Sequence, residues 1–253
     1  MSRRWKGALL PLLLLAAWQW ESQRGAVYAA LFPSLQQIGA AALELWRSEE
    51  LQGAIEASLA RACIGLVIGG AAGIAGGLLM ALSRPVDSLL GPIVHALRQV
   101  PLFAWIPLIG VWLGSGEASR LFVVELSAFF PCLLNAYEGV ANVDRRYLEV
   151  AQVLRLPLAT RVRRLALPAA LPGILTGLSH AVALAWIAAV ASELLFASGP
   201  GLGNSMLMAE AGARMDVVLL CTAVIGLLGH AMNSITARLG QRLLRWRDVE
   251  NGS

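Results

Sequence analysis

Ala62-Cys-Ile-Gly-Leu-Val-Ile-Gly-Gly-Ala-Ala-Gly-Ile-Ala-Gly-Gly-Leu-Leu-Met-Ala-Leu82 is an unbroken apolar run of 21 residues. As a helix it would extend about 31 Å, the thickness of a bilayer's hydrocarbon core. Gly65, Gly69, Gly73 and Gly77 recur at every fourth position and fall on one helical face. Such a stripe lets a second helix approach closely, which is how spans associate where lipid supplies no hydrophobic drive. It predicts a helix-packing face, used inside the chain or between two copies.

Five more stretches read as spans. The first is Gly7–Trp20, extendable past Glu21 and Arg24 to Leu31. It follows Arg3, Arg4 and Lys6 as a signal peptide would, but no clear small-residue cleavage site follows, so it reads as a retained span. Pro101–Leu113 is too short alone and borrows Leu89–Leu97 across Arg98 and Gln99. Leu121–Tyr137, Pro168–Ala191 and Val217–Ala237 complete the set. The predicted fold class is all-α: a polytopic membrane helix bundle of about six transmembrane helices. Composition agrees, with 57% hydrophobic and 14% charged residues among 253. Soluble domains carry about 45–50% and about 25%. A water-soluble enzyme and a disordered chain are both excluded on this ground.

The charges add direction. Of 20 basic residues, Lys6 is the one lysine. A nucleotide-binding P-loop needs Gly-Lys-Ser/Thr, and Lys6 precedes Gly7, so the chain binds no ATP by that route. With the N-terminus placed in the cytoplasm, 15 basic residues fall inside and five outside: Arg24, Arg47, Arg61, Arg120 and Arg214. That is the bias of the positive-inside rule, and it puts both termini in the cytoplasm. The net charge of +4 is scattered between apolar blocks, which fits lipid headgroups and not nucleic acid. Cys63, Cys132 and Cys221 all lie in apolar stretches, against a disulfide framework or zinc site. No metal-binding, nucleophile-elbow or dinucleotide fingerprint occurs, so no catalytic residue and no metal ligand is expected.

The longest inner segment is 138–167. Tyr147, Leu148, Ala151 and Leu154 share one helical face, Pro157 interrupts, and Thr160–Ala166 carries Arg161, Arg163 and Arg164. This predicts two short helices joined by a bend. They lie on the headgroups or dock a cytoplasmic partner.

The run Glu149-Val-Ala151-Gln-Val-Leu-Arg155, with Leu167-Pro168-Ala-Ala-Leu-Pro172 after it, resembles the EAA loop of ABC importer permeases, E-A-A-x-x-x-G and then L-P-x-x-x-P. Arg98-Gln-Val-Pro101-Leu-Phe-Ala-Trp-Ile-Pro107, Leu171-Pro-Gly-Ile-Leu-Thr-Gly177 and Glu193 before Gly199-Pro-Gly-Leu-Gly203 resemble the aliphatic sulfonate, taurine and nitrate branch.

The resemblance implies a type I ABC importer permease fold, with a core over 58–245 behind an N-terminal segment 1–57 and before a tail 246–253. It implies that Glu149, Ala151, Arg155, Leu156, Arg161, Arg164, Leu167 and Pro168 couple to a separate ATPase, present in two copies, which carries the ATP and Mg; this chain binds no cofactor. It further implies a second permease copy, a periplasmic or lipid-anchored binding protein, a bacterial inner-membrane location and a small anionic substrate. One residue departs from the pattern. Arg155 stands where the family has Gly, and on a helical wheel it falls inside the apolar arc. There it must snorkel out or meet an acidic group on the ATPase.

Intramembrane polar residues are pathway candidates by default. Thr176 and His180 share a face at i, i+4; His230 and Asn233 do so at i, i+3. Trp186 and Glu193 join them. Each reads equally as a helix–helix hydrogen bond, and Glu193 as the support of the turn after it. A self-powered transporter or channel is the competing reading; it would show inverted repeats or deep acidic relays.

Overall fold

A computed structural model of the chain describes residues 3–25, 31–143, 153–196 and 199–243. Among these no strand occurs. The helices are α1 (Arg3–Ser22), α2 (Leu35–Arg47), α3 (Glu50–Leu82), α4 (Arg84–Leu97), α5 (Leu102–Leu113), α6 (Glu117–Ala141), α7 (Leu158–Arg161), α8 (Leu167–Leu195), α9 (Leu202–Ala211) and α10 (Met215–Leu243). Four of them, α3, α6, α8 and α10, are long and apolar enough to cross a membrane. The α4–α5 pair makes a fifth if counted together, and it is bent by 101°. Pro101 breaks it: the residue caps α5, and a proline has no amide to continue α4. α1 is not among the spans. Its apolar core Gly7–Trp20 is bounded by Lys6 and Glu21, and the helix stops at Ser22 instead of running on to Leu31.

The chain forms two compact units. The first comprises residues 1–57 and 199–227. There Ser34 opens α2 with a reciprocal capping box to Gln37. Trp18 Nε1 donates to the Pro33 carbonyl at 3.0 Å, which ties α1 to that cap. Arg214 bridges Glu44 at 3.0 Å and Asp216 at 3.0 Å. These bonds, the one to Glu44 foremost, hold its pKa above the ordinary arginine value.

The second unit comprises 58–198 and 228–253. Its centre is α6, packed along α8 on one side and against α3 on the other. The glycine stripe makes the α3 contact. A Cβ at Gly65 would meet the Val124 side chain; at Gly69, Gly73 and Gly77 it would meet the carbonyls of Glu125, Phe129 and Leu133. The stripe is therefore spent inside the chain. The α6–α8 contact uses the same device: a Cβ at Gly173 would sit 2.6 Å from the Asn135 carbonyl, and one at Gly177 2.8 Å from that of Pro131. Ala136, Val140, Ala166, Ala170 and Ile174 fill the interior between the helices.

Candidate functional site

The segment that resembles an EAA loop comes first. Glu149 and Ala151 lie outside the described residues, as does the tail 246–253. Val153 is helical, Leu154 turns, and Arg155 follows with φ +46°. This left-handed conformation is the one that commonly closes a helix, where glycine is preferred because it has no Cβ to clash. It gives a physical reason for the family's Gly at this position, and it corrects the placement of Arg155 on an apolar helical arc. Arg155 is exposed in a turn. Pro157 bars the helix from resuming at once. Val153 is 82% exposed and Leu154 63%, so the turn carries bare apolar side chains.

α7 restarts after Pro157 and does not remain separate. It passes through a π turn, Val162–Ala166, straight into α8. The Leu167 amide reaches back five residues to the Val162 carbonyl. The wide turn falls just before Pro168, which has no amide to offer. Arg161 and Leu156 are partly buried, and Arg164, Leu167 and Pro168 are exposed. The second predicted short helix is thus the first turns of the span.

A cluster of charged residues joins three helices within the second unit. Glu193 on α8 is fully buried, and its Oε1 accepts from Ser58 Oγ at 2.7 Å and from the Arg61 guanidinium on α3. Arg61 also donates to Glu117 at the start of α6, from Nε at 2.7 Å and Nη2 at 2.9 Å. Arg120, one turn further along α6, is fully buried and donates from Nε to the Phe196 carbonyl at 2.9 Å. Phe196 caps the C-terminus of α8, where carbonyls lack helical partners and a cation is favoured. Arg61 and Arg120 are therefore inside the protein instead of among the outer-loop charges. Glu117 and Arg120 stand at i, i+3, a pairing legible in the sequence once both are placed on one helix.

The other pathway candidates divide. Trp186 is 5% exposed, and a Cβ at Gly229 on α10 would come within 2.8 Å of its ring. Thr176, His180, His230 and Asn233 are exposed on their helices. Thr176 donates back to the Pro172 carbonyl at 3.0 Å, one turn earlier on the same helix. His230 Nε2 lies 3.4 Å from Ser234 Oγ. None of the six candidates lines the cavity at the α4–α5 bend, whose wall includes Arg98, Gln99 and Phe103. The sequence signal for that cavity was the Pro101 break itself.

Comparison with known proteins agrees with this architecture. A protein of Bacillus subtilis (strain 168) assigned as an aliphatic sulfonates transport permease protein, SsuC, is 33% identical over 247 residues, covering 98% of this chain and 89% of its own. The bicarbonate transport system permease protein CmpB of Synechococcus elongatus is 33% identical over 189 residues, covering 75% of this chain and 68% of its own. A chain of the MetNI methionine ABC transporter in an inward-facing conformation shares the fold, with a TM-score of 0.58 at 17% identity, covering 74% of this chain and 95% of that one. The family described as "Binding-protein-dependent transport system inner membrane component" matches residues 73–245, from the glycine stripe of α3 to the end of α10. With that match and relatives that align over most of their lengths, the chain belongs to this family of membrane transport components.

Proposed function

We propose that this chain is the membrane-spanning subunit of an ATP-driven importer for a small organic anion, an aliphatic sulfonate. The observation that carries the reading is the turn at Val153–Arg155. It exposes two large apolar side chains beside Arg155, with Arg163 and Arg164 exposed further along. A patch that is apolar and basic together, continuous with a membrane span, fits a partner's groove better than water. That partner is a separate ATPase subunit, in two copies, which holds ATP and Mg. Arg163 and Arg164 of the same patch stand on the π turn, which runs straight into α8, so movement of a docked patch reaches that span. Thr176, His180, His230 and Asn233 face the pathway, which a second copy of the chain completes. A binding protein on the outer side delivers the solute, and both termini lie in the cytoplasm. The sulfonate assignment draws on the names of the SsuC relatives.

The test is co-purification with transport. The solubilised chain should recruit its ATPase, and proteoliposomes holding both should take up sulfonate only with ATP and the binding protein. Alanines at Val153 and Leu154 should abolish recruitment. An ATPase that never co-purifies, together with transport that survives those alanines, overturns the reading.

A further inference from the structure

Where α4 gives way to α5, a cavity of about 590 Å³ opens against the bend. Small-molecule sites are cavities of this size, walled mostly by apolar groups with a few placed polar ones. Phe103, Trp105, Phe130 and Ile187 supply apolar wall; Arg98 and Gln99 supply a polar end. Among the described residues no carboxylate pairs with Arg98. α5 begins at Leu102, which also lines the cavity, so the positive end of a 12-residue helix faces the same region as the guanidinium. Broken spans elsewhere use such half-helix ends to receive anionic groups. Arg98 is exposed at the mouth of the cavity, so its guanidinium is open to an incoming anion.

The geometry points to a binding site for an amphiphilic anion, with a sulfonate or phosphate head held by Arg98 and an alkyl tail of several carbons among Phe103, Trp105 and Phe130. This rests on the importer reading above and adds to it that the membrane subunit itself selects by tail length. A bicarbonate-sized ion would leave the aromatic wall unfilled. The head-group chemistry is shared by a transported alkanesulfonate and by an anionic phospholipid; the transported anion is the occupant proposed.

The permease–ATPase complex in phosphatidylcholine nanodiscs is titrated with ethane-, butane- and hexanesulfonate, following tryptophan fluorescence that Trp105→Phe removes. Each added methylene should tighten binding about fourfold, from the transfer free energy of a buried CH₂. Arg98→Gln should weaken every sulfonate by about tenfold or more, the worth of a charge-assisted hydrogen bond, without changing the dependence on tail length. Ile187→Trp should flatten that dependence by filling the tail region. Equal affinity for all tails, or full affinity in Arg98→Gln, overturns the site. So does a response abolished by phosphatidylglycerol nanodiscs that no sulfonate restores, which makes it a lipid site. ATP-driven uptake of the same sulfonates separates the two readings: uptake with tail-independent binding removes the cavity alone, and tail-dependent binding without ATP-driven uptake removes the importer.

Discussion

Arg61 holds two carboxylates, and they differ in burial. Glu193 is fully buried, while Glu117 is 63% exposed. Counting bonds makes Glu117 the more important, since it receives two from the guanidinium at 2.7 and 2.9 Å. Burial makes the opposite prediction. Removing one partner of a buried ion pair costs about 3–5 kcal/mol, because the remaining charge is stranded. In Glu193→Gln an amide oxygen still accepts a bond and Glu117 still faces Arg61, so the low end, about 3 kcal/mol, is expected. Glu117→Gln should cost no more than about 1 kcal/mol, since an exposed carboxylate is already compensated by water. Arg61→Met/Glu193→Leu removes both buried charges and should stay within about 1 kcal/mol of the parent, as apolar replacements of buried pairs do elsewhere. Reversible unfolding in mixed micelles with rising SDS, read by circular dichroism, measures all three on one scale. A Glu117→Gln loss as large as that of Glu193→Gln would refute the argument from burial. A double variant as unstable as Glu193→Gln would refute the argument from a stranded charge.

Packing, backbone conformation and an exposed ion pair give four further outcomes. Gly69→Ala drives a methyl into the Glu125 carbonyl and should destabilise by about 1–3 kcal/mol in the same unfolding assay, as overpacking does. Gly53→Ala on the same helix meets nothing within 4 Å and should stabilise by up to about 1 kcal/mol from helix propensity. Arg155→Gly should stabilise the turn by about 1 kcal/mol, by relieving a left-handed backbone, while Arg155→Val at the same φ should lose at least as much. If Arg155→Gly also leaves ATPase recruitment unchanged, no special contact of the guanidinium exists. Arg214→Gln removes an exposed bridge whose members are 41% and 59% exposed, and its cost should stay below about 1 kcal/mol.

Periodicity was legible where one residue type repeats along one element. The glycine stripe of α3 announced a close helix contact, and four apolar runs announced four spans. Each signal lies within a single helix, so no knowledge of neighbours is needed to read it. The charged cluster was illegible for the opposite reason. Ser58, Arg61, Glu117, Arg120 and Glu193 come from three helices up to 135 positions apart, and nothing local distinguishes Arg61 from a charge at a helix mouth. α1 is harder to read because its leucine run is as dense as a span's but ends in charge after fourteen residues. Arg155 misled because a helical wheel presumes a helix; the left-handed turn is a backbone event that the side chain does nothing to advertise.

The second unit's packing separates what is fixed from what bends. α3 and α8 both approach α6 at backbone distance, through glycines that leave no side chain to rearrange. Near one end of these contacts the Arg61 and Arg120 bonds tie the same three helices together. Two independent devices, one steric and one ionic, thus hold α3, α6 and α8 as one body. Bodies of this kind move whole, since packed interfaces have discrete arrangements and do not deform continuously. The α4–α5 pair is built differently. Pro101 removes an amide at its bend, and a cavity takes the place of packed side chains beside it. From Leu158 onward α7, the π turn and α8 are continuous, so a displacement of α7 moves the rigid body. The cavity wall is shared between that body, through Phe130 and Ile187, and the bent pair, through Arg98 and Phe103. Its volume must therefore change whenever the two shift against each other.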